Sequence, residues 1–291
     1  MQSLLTQSHL PSEIVVIDGS GDNATRELVE RLAGQHHPVQ LRWKRANCVG
    51  AASQRNQGVV MCSYPFIGFC DDDIILEESC FVRLWTALHE DIGLGGVNAM
   101  ITNQKYQSPG RVSRMMLTLL NGRRLTSFAG RVIGPAVNLL PEDRADLPEV
   151  IKVEWLNLGC TMYRRVALPI PAFDLVFSGY SLMEDLALSL RVGRNWGLAN
   201  VRTARILHDS QPGTHKSDVR AIAEMALINR YYVMTKIMRR SRLLDYLRFL
   251  MWELFQLGAC AARSGSRYEF IASLKGKADG FKKLCFGSKR L

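Results

Sequence analysis

Several things are scarce in this sequence. Its 291 residues include 7 cysteines, an odd number, and no two stand as C-x-x-C. That excludes a zinc ribbon and a disulfide scaffold, and it suits a reducing compartment. Glycine and proline number 23 and 10 with no short repeat, too few for a collagen-like or low-complexity chain. No apolar run reaches the ~20 residues that a membrane-spanning helix needs. The most apolar stretch, 243–262, is interrupted by Asp245, Arg248 and Glu253. The opening MQSLLTQSHLPSE lacks the basic and apolar segments of a signal peptide. These absences lead to the expectation of a folded protein in the cytoplasm, soluble or peripheral on the inner face of the cell membrane. With 47% hydrophobic residues, the chain can bury a sizeable core.

The net charge is +10, and all of that excess lies late in the chain. From Arg230 onward there are 14 basic and 4 acidic residues, whereas residues 1–229 carry 23 of each sign. A neutral body with a basic tail points to an anionic partner surface. Nucleic acid is not expected, because the charge is confined to the tail and no base-reading motif accompanies it. Within the tail Leu243, Leu247, Leu250, Leu254 and Leu257 recur at helical spacing, with Phe249, Trp252 and Phe255 at the flanks. This predicts an amphipathic helix that meets either an anionic membrane or the protein's own core.

Short β-branched runs alternate with helical patterns through the first hundred residues. Ile14–Ile17, Val39–Trp43 and Phe66–Cys70 read as strands; Ala24–Leu32, Ala51–Val60 and Phe81–His89 read as helices. Such alternation predicts an α/β sheet that is largely parallel. Residues 101–150 read as an irregular, acceptor-side region. Order returns with strands over Glu154–Tyr163 and Gly197–Leu207 and a helix over Ser181–Val192. Ser217–Asp218 reads as the N-cap of a long helical region.

Four constellations carry chemistry. Asp71, Asp72 and Asp73 follow the strand Phe66–Cys70, at the end where open α/β sheets bind ligands. Their mutual repulsion calls for a cation or for hydrogen-bond donors, and oxygen ligands at i and i+2 suit a hard divalent ion holding phosphate. Glu184–Asp185 opens a predicted helix beside a glycine-containing loop, where a carboxylate serves either as a general base or as a cap. Asn47, Gly50 and the run Arg55-Asn56-Gln57-Gly58 place a cation and an amide near the same edge, or else mark an ordinary polar helix end. His208 closes a strand and is either a metal ligand or a structural histidine.

Taken in chain order, these segments resemble the motifs of the family 2 glycosyltransferases. Glu13-Ile-Val-Val-Ile-Asp-Gly-Ser-Gly-Asp-Asn is similar to their E-I-[IV]-V-V-D-D-G-S-T-D-N segment, and Asn47…Gly50…Arg55-Asn56-Gln57-Gly58 to N-x-G…A-R-N-x-G. Phe69-Cys-Asp-Asp-Asp resembles F-L-D-x-D, Leu158-Gly-Cys-Thr-Met-Tyr-Arg-Arg the G-x-x-x-x-x-[RK]-R strand, and Glu184-Asp185-Leu186…Arg191…Gly193 the E-D-x-D-L-x-x-R-x-x-x-x-G helix. The strand ending in His208 resembles the family's late strand. The resemblance covers roughly residues 3–210. Ile17 replaces the first of the family's paired aspartates. Ser3-Leu-Leu-Thr-Gln7 resembles the helix that follows the family's first strand, so the expectation is a late start assignment or a loss of that strand.

The resemblance implies the GT-A fold: a Rossmann-like, mixed and mostly parallel sheet flanked by helices, here with a C-terminal helical extension. It implies a catalytic domain over 1–216, with a nucleotide-sugar half about 1–100 and an acceptor half about 101–216, and a basic helical tail over 217–291. The implied activity is metal-dependent, inverting transfer of a sugar from a nucleotide-diphospho-sugar donor to the hydroxyl of a saccharide or lipid-linked acceptor, in cell-surface polysaccharide or glycolipid synthesis. Asp18, Arg55, Asn56, Asp71 and Asp72 would line the donor. Asp73, with His208, would hold Mn²⁺ or Mg²⁺. Asp185 would be the base, supported by Glu184. The alternatives are a non-catalytic nucleotide-sugar-binding remnant or scaffold, and a sugar nucleotidyltransferase; the latter would want a glycine-rich phosphate loop that the N-terminal region does not display.

Overall fold

The computed structural model describes residues 1–35, 38–210, 218–263 and 267–286. The chain divides into two compact units, Met1–Lys105 with Pro141–Ser210, and Tyr106–Leu140 with Gln211–Leu291. The second unit thus takes in Tyr106–Leu140, a stretch that the sequence groups with the acceptor half.

In the first unit, a short helix α1 (Gln2–Leu5) leads to the parallel pair β1 (Glu13–Asp18) and β2 (Gln40–Arg45). Parallel neighbours require a crossover, supplied by α2 (Ala24–Ala33), which buries Val29. Helix α3 (Ala51–Met61) packs on β1. A separate six-stranded mixed sheet has the order β3 (Phe66–Cys70), β9 (Cys160–Arg164), β5 (Leu94–Ile101), β10 (Gly197–His208) and β4 (Ile74–Leu76), with β8 (Val150–Val153) also on β10. Strands β5 and β10 run parallel. β9 runs antiparallel to both β3 and β5, so β3 shares their direction.

Strand β5 is buried along its whole length, as a central strand covered on both faces must be. Against it and β10 packs α4 (Cys80–Glu90), whose Cys80, Phe81, Leu84, Ala87 and Leu88 recur at helical spacing and are buried. Each large apolar side chain removed from water there contributes about 1.5–3 kcal/mol. Gly96 is required by packing: a Cβ would lie 2.5 Å from the ring of the fully buried Tyr163 on β9.

In the first unit two local expectations differ from what is observed. Residues 154–159 are not strand: Trp155, Leu156 and Leu158 are buried from an irregular segment between β8 and β9. Apolar character there reflects burial rather than pleating. The helix expected over Ser181–Val192 begins at Glu184, and α6 is Glu184–Val192. The chain before it makes a tight turn in which Gly179, Ser181 and Met183 all have positive φ.

The second unit contains α5 (Arg111–Asn121), a small hairpin of β6 (Val132–Ile133) and β7 (Val137–Asn138), and three helices, α7 (Val219–Tyr232), α8 (Leu243–Arg263) and α9 (Arg267–Phe286). The sequence reading leaves α5 as irregular chain. Asp218 caps α7 by accepting from the Ala221 amide at 2.9 Å; Ser217 lies outside the described residues. A wide helical turn over Val233–Ile237 ends the first helical run before α8 begins. One core gathers Leu117, Leu120, Phe128, Ile133, Val137 and Trp252; another gathers Leu227, Met234 and Phe249. Phe249 and Trp252 are therefore interior residues, not flanks of an outward face. Buried Glu253 pairs with Arg230 at 3.1 Å and with Lys277. This neutralises a charge that would otherwise be costly in the interior.

Candidate active site

Strands β3, β5 and β10 point the same way, so their C-terminal ends bring three segments to one edge of the sheet: Asp71–Asp73, Asn103–Gln104 and His208. Asp71 is tied down by its own backbone, its N–H donating to Gly159 O at 3.1 Å. The Asp71 carboxylate accepts from Arg55 Nη2 at 2.7 Å, and Arg55 Nη1 donates to Glu184 Oε1, also at 2.7 Å. Arg55 reaches from α3 and Glu184 from the first turn of α6. One guanidinium thus joins three segments far apart in sequence, and it rests 5.8 Å over the Phe173 ring.

The electrostatics of this cluster are unusual. Burial pushes the Glu184 carboxyl up to about 8, helped by the adjacent Asp185 charge and opposed by Arg55. Burial likewise raises Asp185 to about 6; the Leu186 amide and Arg55 oppose it, while the Asp71 charge adds to the rise. Asp71 is raised by burial in spite of Arg55. Burial also works against the charge on Arg55, yet Asp71 and Glu184 more than offset it and its pKa is raised. Three neighbouring carboxyl groups have one cation, which contacts two of them in a partly buried site, and keeping a proton relieves their repulsion. Asp185 itself accepts from the Leu186 amide at 2.6 Å, which fixes one oxygen at the helix start.

A second group lies at the same sheet edge. His208 Nε2 is 3.0 Å from Asp73 Oδ1, and His208 Nδ1 is 2.7 Å from Gln104 Nε2. Asn103 clasps the His208 backbone with both amide atoms, at 2.8 and 3.1 Å.

The other predicted residues are placed differently. Asp18, at the end of β1, is buried and accepts from the Ser20 amide, Trp43 Nε1 and Arg45 Nη1. Burial opposes its charge, and these donors with the Arg45 cation outweigh that, so its pKa is lowered. Asn56 has both amide atoms on the backbone of Phe173, at 2.8 and 2.9 Å, where it acts as a clamp. Asp72 is exposed.

Residues 1–139 match the model of glycosyl transferase family 2. These residues are similar to that family. The chain is also 34% identical over 101 residues to the uncharacterized glycosyltransferase YibD of Escherichia coli (strain K12), a match covering 34% of this chain and 28% of YibD. Among solved structures, the mannosyltransferase PcManGT from Pyrobaculum calidifontis, in complex with GDP-Man and Mn²⁺, aligns with 99% of this chain and 82% of its own at 12% identity and a TM-score of 0.56. S. aureus TarS 1-349, in complex with UDP-GlcNAc, aligns with 97% of this chain and 75% of its own at 14% identity and a TM-score of 0.54. At such low identity these likenesses speak for the fold, which is that of the GT-A glycosyltransferases.

Several residues around this site were not legible as motifs. Gln104 and Asn103 follow β5 in a region without pattern, and Phe173 and Gly179 come from loops. Gly50 has φ 146, and a Cβ on it would lie 3.4 Å from the Gly179 amide nitrogen. Gly50, by contrast, is singled out in the sequence with Asn47, in the segment similar to N-x-G.

No group of three or more metal-ligating side chains stands together among the described residues. The pair Asp73–His208 nevertheless suits a divalent ion whose remaining ligands are phosphate oxygens and water. The Gln104 amide decides how it is used. With its NH₂ on His208 Nδ1, the ring proton stays on Nε2 toward Asp73; turned end for end, its oxygen would accept from Nδ1–H and free the Nε2 lone pair for a cation.

Proposed function

We propose that this protein transfers a sugar from a nucleotide-diphospho-sugar to an acceptor hydroxyl with inversion at the anomeric carbon. The observation that carries the proposal is the junction of Arg55, Asp71, Glu184 and Asp185 at the C-terminal edge of the sheet. PcManGT with GDP-Man and Mn²⁺ and TarS with UDP-GlcNAc lend support from the same fold.

In this reading Asp185 accepts the proton of the acceptor hydroxyl as its oxygen bonds to the anomeric carbon. The bond from that carbon to the diphosphate breaks on the opposite face, and the electron pair leaves with the nucleoside diphosphate. Burial suits Asp185 to the role: a carboxyl raised to about 6 is still ionised at neutral pH and is more basic than an ordinary aspartate. Glu184 and Arg55 hold the position of α6 and balance the local charge. Asp73 and His208 would hold a Mn²⁺ or Mg²⁺ ion, which supplies charge stabilisation to the departing diphosphate. Asp18 and Asp72 would line the donor side. The acceptor class we infer is a saccharide or lipid-linked saccharide of a surface polysaccharide or glycolipid.

The test is a screen of nucleotide sugars with saccharide acceptors in Mn²⁺, with NMR assignment of the product anomer. A product of inverted configuration is expected. A retained configuration would remove Asp185 from its role, and failure of any nucleoside diphosphate to bind would remove the function.

A further inference from the structure

The most unusual surface lies in the second unit. Helix α8 is two-faced, but the wrong way round for a soluble protein. Its Phe249, Trp252 and Glu253 are buried, while Leu243, Leu247, Leu250 and Leu254 face outward at 77%, 47%, 40% and 66% exposure. At 100° per residue those four leucines fall within about 60° of one another, on the side opposite Trp252. Helix α5 packs beside α8 through Leu117 and Leu120 against Trp252, and it too turns Val112, Met115 and Leu119 outward. An apolar face of this size calls for an occupant.

Charge identifies the occupant. The second unit holds 21 basic and 6 acidic residues, net +15, whereas the first holds 16 and 21, net −5. Exposed Lys236, Arg239 and Arg242 stand just before the leucine face, and exposed Arg111 and Arg114 lie on α5. A second copy of the same face would meet like charge. Nucleic acid would find leucines where it needs stacking rings, since Phe249 and Trp252 are interior. No described helix is long and apolar enough to cross a membrane. Beside Leu250 opens an apolar groove of about 190 Å³, lined by Tyr231, Tyr246, Phe249, Phe281 and Leu284 and suited to hydrocarbon.

We propose that the second unit docks on an anionic lipid bilayer, with the outward face of α8 immersed at the headgroup–acyl boundary and the arginines and lysines around it on the phosphates. Leucines supply the part of binding that salt does not screen, and cations supply the part that it does. The proposal stands apart from the sugar-transfer chemistry, and its test reads no turnover.

The full chain is floated with phosphatidylcholine vesicles, with and without phosphatidylglycerol, at low and high salt. Wild-type protein is expected to rise with the anionic vesicles and to remain partly bound at high salt. The pair Leu247→Glu and Leu254→Glu, at exposed positions, should lower partitioning about tenfold or more with unchanged circular dichroism and Tm. A Leu247→Ser and Leu254→Ser pair gives the same reading without added charge. If wild type fails to rise with anionic vesicles, the proposal falls. It falls equally if both leucine pairs float as wild type does, or if the wild type forms a dimer that the leucine pairs abolish.

Discussion

Replacing Glu184 with glutamine tests the electrostatic account of the site directly. The folded chain holds the Glu184 proton up to about 8, whereas an ordinary glutamate releases it near 4.5. Between those values the folded state binds a proton that the unfolded state has lost, so stability falls as pH rises. The contribution is fully present below pH 4.5 and is lost as pH passes through 8. One extra bound proton corresponds to a slope of about 1.4 kcal/mol per pH unit. Treated alone, Glu184 would account for about 5 kcal/mol across the window; its repulsion with Asp185 is shared between the two groups, so about 3 kcal/mol is the figure to expect. Glutamine keeps the shape and cannot ionise, and Arg55 retains Asp71 as its partner. Urea unfolding of both proteins from pH 5 to pH 9 should therefore give nearly coincident stabilities at the acid end. At pH 9 Glu184→Gln should be the more stable by about 2–3 kcal/mol. A wild-type curve that is flat or rising from pH 6 to 9, or a variant weaker than wild type at pH 9, would refute the reasoning.

Three further outcomes follow from the same geometry. Asp185→Asn should leave nucleotide-sugar binding within a few-fold while transfer falls about 10²–10⁴-fold, the usual contribution of a positioned base; steady-state kinetics with a direct binding assay check it. Asp73→Ala should abolish the advantage of Mn²⁺ over EDTA in calorimetric binding of a nucleoside diphosphate, because His208 alone is a poor site for a hard cation. Gly276→Ala should lower Tm measurably, costing about 1–3 kcal/mol by thermal or urea unfolding, since the new Cβ would fall 2.2 Å from the Arg220 carbonyl oxygen on α7.

How much of this could be read beforehand depended on whether the signal was local. The β-branched run Ile14–Ile17 and the apolar Phe66–Phe69 declared their strands because a buried strand needs little else. The acidic triplet marked the end of β3 as a place where three carboxylates call for a partner, and Asp71 and Asp73 meet Arg55 and His208 there. The Arg55 junction was only half legible. Its members are separated by 16 and 129 positions from the arginine, and periodicity carries no information at such range. Asn56 is expected along the donor only from the family resemblance; what the sequence does not show is that both its amide atoms meet the Phe173 backbone, 117 positions away. Helix α5 was missed because Gly110 before it and Gly122 after it read as loop. They are its two ends, and Gly122 takes the left-handed cap that such an end favours. The leucine stripe of α8 was visible as a pattern, but which face it occupied was not: periodicity tells that a helix has two faces, and only packing tells which one is inside.

The turn before α6 explains why the site needed three separate segments. Ser181 and Met183 hold positive φ, a conformation that costs an ordinary residue about 1–2 kcal/mol. Something must over-determine it, and two contacts do. The Ser181 hydroxyl donates to Phe177 O at 3.1 Å and can turn to Gly179 O at 3.2 Å. On the far side, Leu186 and Leu188 anchor α6 in the core. The result is an abrupt helix start that projects Glu184 toward Arg55 instead of leaving it on a gradual, fraying first turn. Gly50, whose Cα leaves room for the Gly179 backbone, lets α3 begin close enough for Arg55 to meet it. Strain in the turn and the buried Arg55 ion pairs are therefore two halves of one device: the turn aims the carboxylates, and the guanidinium makes their burial tolerable.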